Sequence, residues 1–108
     1  MTFGLAGLLA LSAAISQEHE SPHNYKPPEG YVPDANTAIQ IALAVWLPIY
    51  GQKQIDSEKP YKAILKDGVW TVSGSMPPSR PGRIMVGGVA VAEISKVDGT
   101  ILRISHGM

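Results

Sequence analysis

The chain has three histidines, the residues whose protons exchange near neutral pH, and no cysteine. His19 and His23, flanked by Glu18 and Glu20, have the donor types of a metal site. Pro22 breaks the helical geometry that would align the two imidazoles, and no further strong ligand follows closely. They read as part of a solvated tail. His106 ends the last apolar run. Its neighbour Ser105 falls on the opposite face of an extended strand, and no acid is spaced in sequence to orient the imidazole. Asp34, Asp56, Asp67 and Asp98 all fall at expected turns or helix ends, where capping accounts for them. With no reacting set in view, the chain reads as a non-enzyme without cofactor or metal.

Side chains suited to gripping a protein are easier to find. Tyr50 and Tyr61 flank a polar connection, and Arg80 and Arg83 flank Pro81 in a stiff loop. Arg103 lies beside a sheet face and His106 follows it on the same strand. These six are the candidate partner contacts. Nine basic and nine acidic residues leave no net charge, which argues against nucleic acid and an anionic membrane surface as partners. The oligomeric state is not encoded in any motif.

These side chains must be positioned by elements built around Asp34 to Gly51, DANTAIQIALAVWLPIYG. Ala35, Ala38, Ile39, Ala42, Val45, Trp46 and Ile49 recur at helical spacing. Ile41, Leu43, Ala44 and Leu47 make the other face apolar too, so the spacing predicts a helix covered nearly all round, with Trp46 in the core. Pro33 and Asp34 suit its start; Pro48 should stop or kink it, with Gly51 as terminator. A polar connection, Gln52 to Pro60, leads to Tyr61–Leu65 and Val69–Ser73, joined by the turn Lys66-Asp67-Gly68. Trp70 and Val72 line one face of the return strand, and Trp70 covers the helix. Gly74 to Gly82, with three prolines, is a loop. Arg83 to Ser95 is a strand interrupted at Gly87-Gly88, where paired glycines predict a bulge or bend. Val97-Asp98-Gly99 turns into Thr100–Ser105, with Ile101 and Arg103 on one face and Leu102 and Ile104 on the other. One helix followed by two hairpins predicts an α+β domain, a four-stranded antiparallel curved sheet wrapped on one long helix.

The length of 108 residues fits one domain, placed at 30–108. Before it, Phe3 to Ile15 is apolar but shorter than the roughly 20 residues of a membrane span. Small residues at Ala14 and Ser16 suit cleavage before Gln17, so residues 1–16 read as an export signal, though no Lys or Arg opens it, or else as an apolar helix that packs on the domain or on a second copy. The expected location is periplasmic or exported, with a cytoplasmic protein as the alternative and no stable membrane insertion of the mature domain. Residues 17–29, polar and proline-rich, read as a linker.

The ordered set WLPIYG (Trp46 to Gly51), KPYKAIL (Lys59 to Leu65), GVWTVSGSMP (Gly68 to Pro77), Gly87-Gly88 and ISKVDGTILRISHG (Ile94 to Gly107) resembles the NTF2-fold immunity proteins of bacterial polymorphic toxin systems. The resemblance covers about three quarters of the chain, from Gly30 onward. It implies a reduced NTF2-like or cystatin-like sheet curled round a helix, a cognate protein toxin as partner, and no catalytic residues. The alternative is an exported small ligand-binding or scaffold domain of the same shape.

Overall fold

The computed structural model describes residues 23–76 and 88–107. Helix α1 spans Ala35–Tyr50 and helix α2 spans Gln52–Asp56. Strands β1 (Lys62–Lys66), β2 (Val69–Ser73), β3 (Val89–Ser95) and β4 (Ile101–Gly107) follow. They form one antiparallel sheet in chain order, curved and unclosed, with α1 across its inner face. Arg80 and Arg83, Gly87, His19, and the segment 1–16 lie outside the described residues.

Asp34 starts α1. Its extended backbone leaves the carboxylate free to accept from Thr37 N at 2.8 Å and Thr37 Oγ1 at 2.7 Å. The Thr37 hydroxyl, then its backbone N–H, hold the Asp34 carboxyl below the usual aspartate value. The helix runs through Pro48 rather than stopping there, and Gly51 N closes it on Leu47 O at 2.9 Å. Pro48 lacks the donor that Ala44 O would receive; both residues lie on the exposed side, where solvent reaches that carbonyl.

The helix is not covered all round. Ala38, Ala42 and Trp46, at four-residue steps, are fully buried, whereas Ala44 is exposed and Ile49 is 57% exposed. Small residues at 38 and 42 bring the helix close to the sheet, and Trp46 then fills the wider end. Opposite it lie Trp70, Val72, Ala90, Ala92 and Ile94, with Ala63 and Ile104 at the margins. Each large apolar side chain so buried contributes about 1.5–3 kcal/mol. Trp70 Nε1 donates to Val32 O at 2.8 Å, which ties the approach to α1 onto the sheet.

Two further local expectations are corrected. Ile101 and Arg103 do not share a face: the β3–β4 register slips between Glu93 and Ile94, so Arg103 opposes Glu93 while Ile101 opposes the buried Ile94. Leu102 is the extra residue of a bulge, and it resets the alternation of β4. The expected connection Gln52 to Pro60 also contains α2, which buries Ile55. Before α1, Gly30 N bonds Pro27 O, and Tyr31 N and Val32 N bond Val97 O and Lys96 O, all at 3.0 Å. The N-terminal approach is thereby fastened to the β3–β4 turn. A Cβ on Gly30 would meet Lys96 O at 2.5 Å, so this close approach requires glycine.

Candidate functional site

Beneath the C-terminal ends of α1 and β4 sits Glu58, the one buried charged side chain among the described residues. It lies just past α2, where its own N–H bonds Ile55 O at 3.0 Å. Its carboxylate accepts three hydrogen bonds from three elements. Ala90 N, at the start of β3, donates to Oε1 at 2.8 Å. Gln54 Nε2 and His106 Nε2 donate to Oε2 at 2.8 and 2.7 Å. Burial pushes this carboxyl up, but the Ala90, Gln54 and His106 bonds together outweigh it and hold it below the ordinary glutamate value. An ionised carboxylate only accepts, so the His106 proton that faces it is on Nε2.

The hub extends through the backbone. Ser75 N donates to Glu58 O at 2.7 Å, Ser75 Oγ to Pro60 O at 2.6 Å, and Gly74 N to Ala90 O at 3.0 Å. A Cβ on Gly74 would lie 2.3 Å from Glu58 Oε1 and 2.8 Å from Glu58 Cβ, so a bare backbone is needed for the glutamate to enter. Tyr50 covers the other side of His106, ring centroids 5.0 Å apart. Tyr61 sits against Trp46 at 6.0 Å and donates its hydroxyl to Ile55 O at 2.7 Å. Burial, then Asp56 and Glu58, push the Tyr61 phenol up.

Three of the six side chains expected to meet a partner therefore turn inward: Tyr50, Tyr61 and His106 are half-buried around Glu58. Glu58 is the acid that sequence spacing did not supply to His106, because 48 positions separate the two. Arg103 behaves differently. It stands on the outer face, 3.1 Å from Glu93, and its Nη1 reaches Ser105 Oγ at 3.4 Å.

That outer face is set by the pleat. Since Ala63, Trp70, Val72, Ala90, Ala92 and Ile104 face the helix, the alternate residues face away. One row across the sheet is Lys62, Ser73, Val91, Ser105; the next is Ile64, Thr71, Glu93, Arg103. Among the described residues no element covers these rows. At the β4 side lies a shallow depression of about 280 Å³, lined by Val89, Val91, Arg103, Ser105, His106 and Gly107. Small-molecule sites are typically larger, about 300–1,000 Å³, and more enclosed. No described helix is long and apolar enough to cross a membrane.

The curved sheet, the helix lying on it and the terminal strand locked to Glu58 together occupy the region that comparison with known proteins picks out. A family described as NTF2 fold immunity protein matches residues 37–108, from within α1 to the last residue. The protein YhhH of Escherichia coli (strain K12), itself uncharacterized, is 31% identical over 93 residues, covering 86% of this chain and 69% of that one. No solved structure matches the chain. Since the match takes in most of α1 and all four strands of an α+β architecture, the chain belongs to the NTF2-fold immunity proteins.

Proposed function

We propose that this protein neutralises a bacterial toxin by binding it, and that it does so without turning over a substrate. The observation that carries the reading is the family match across the folded domain. The geometry supports it. Glu58 gives its acceptor capacity to Ala90, Gln54 and His106, a set of bonds that ties α2, β3 and β4 together. Among the described residues, in contrast, no element covers the outer sheet face.

Growth rescue tests the reading. The chain is produced in bacteria together with toxin domains encoded near its gene. Restored growth and co-purification with one toxin are expected; death with every toxin would refute the proposal. Export belongs to the same reading, with the toxin acting outside the cytoplasm. Mass spectrometry should find a mature protein beginning at Gln17, and an intact Met1 would remove that part.

A further inference from the structure

The sheet ends in two edges among the described residues, and they differ. β1 is five residues long, carries Lys62 and Lys66 at its ends, and has α1 packed against it. Edge lysines discourage a further strand. β4 is seven residues long and borders the depression, with Val89 and Val91 beside Arg103 and Ser105. Along such an edge, alternate residues turn N–H and C=O groups away from the sheet with no ladder partner. The far end of β4 is already fixed, because His106 is held by Glu58 and Tyr50. An edge held extended in advance loses less freedom when it pairs.

Charge selects the partner. Among the described residues the depression is lined by one guanidinium, Arg103, and by no carboxylate, while Lys62 and Lys66 lie at the far edge of the same face. Arg103 and Glu93 touch at 3.1 Å with side chains 55% and 31% exposed, a contact that solvent weakens and an incoming carboxylate can share.

We propose that an extended, acidic segment of the toxin adds to β4 as a fifth strand and seats a carboxylate in the depression against Arg103. This rests on the toxin-binding reading above. Strand addition takes affinity from main-chain hydrogen bonds and specificity from pockets that meet alternate side chains, and here one pocket beside the edge is cationic.

The test is an NMR titration of the isotope-labelled full chain with two short extended peptides, one alternating valine with glutamate, the other valine with lysine. The acidic peptide should shift the amides of Arg103, Ser105, Gly107 and Val89 and leave β1 unmoved. The lysine peptide should shift none of them. In R103E the apparent Kd for the acidic peptide should rise about tenfold, with an unchanged fold. Shifts centred on β1, equal responses to both peptides, or no response in β4 would overturn the proposal. So would concentration-dependent broadening of β4 without peptide, which would assign the edge to a second copy of the chain. Each of these failures leaves growth rescue intact and so spares the immunity reading. A β4 response in a chain that rescues no toxin would instead remove the toxin as occupant.

Discussion

The two faces of one sheet follow the same pleat yet are constrained in opposite ways. On the inner face Trp70, Val72, Ala92 and Ile94 are enclosed by α1, and Glu58 is held by donors from three elements. On the outer face Ile64, Thr71 and Arg103 stand in solvent, and among the described residues Arg103 meets Glu93 and Ser105 there. Inside, each side chain is determined by several others, so changes propagate. Outside, one residue can change without asking its neighbours to move. Such a division lets a surface contact be rewritten while the fold stays fixed.

The comparison breaks most visibly at Trp46. This side chain is fully buried and contacts the Tyr61 ring. Trp46→Ala should cost about 3–5 kcal/mol, from lost burial and the cavity left behind. Urea unfolding of both proteins measures it, and a loss under about 1 kcal/mol would mean that the inner face is not the stabilising one.

Glu58→Ala should come close behind, at about 3 kcal/mol, because it strands Ala90 N–H and leaves His106 and Gln54 without their acceptor. Its pH dependence is the sharper reading. The native carboxyl lies below its ordinary value of 4.5. The unfolded chain therefore takes up that proton first as pH falls. The stabilisation is complete above the unfolded value and disappears as pH drops through the native one. Comparing the thermal midpoints of wild type and Glu58→Gln should show a gap that is widest near neutrality and narrows in acid. A gap independent of pH would show that the carboxylate's charge is not what the hub uses.

Gly74→Ala should destabilise by about 1–3 kcal/mol, since the new methyl collides with Glu58 and cannot be relieved by moving a flexible tip alone. Its cost should shrink in the Glu58→Ala background, where the colliding atoms beyond Cβ are gone. Equal costs in both backgrounds, measured by chemical denaturation, would show that the crowding lies elsewhere.

How far these features could be read beforehand depends on the distance over which they are encoded. The helix, its Asp34 cap and the hairpin turns are local. Asp67 and Gly68 adopt positive φ, 50° and 76°, as a tight hairpin turn of that composition requires. Sheet order then follows from two hairpins in sequence. The hub is not local. Glu58 stands in a run of polar residues that looks like a solvated connection, and two of its three partners lie 32 and 48 positions away. Gly74 looks like any loop glycine until Glu58 is beside it. The bulge at Leu102 is hidden for a related reason: TILRIS alternates acceptably in either phase, and only pairing with β3 shows where the phase resets. Arg103 was visible as a surface cation, but its outward aim depends on that reset.

The smallest expected effect lies where the outer face does hold a contact. Arg103 and Glu93 are an exposed cross-strand pair, and such pairs contribute roughly 0–1 kcal/mol once desolvation and side-chain ordering are counted. A double-mutant cycle of Arg103→Ala and Glu93→Ala should give a coupling below about 0.5 kcal/mol, lower still at high salt because exposed charges are screened. A coupling near that of the Glu58 hub would mean that Arg103 is structurally committed and cannot release Glu93 to share a partner's carboxylate. A small one leaves the guanidinium available, and any large effect of Arg103→Ala on toxin binding then reports recognition rather than folding.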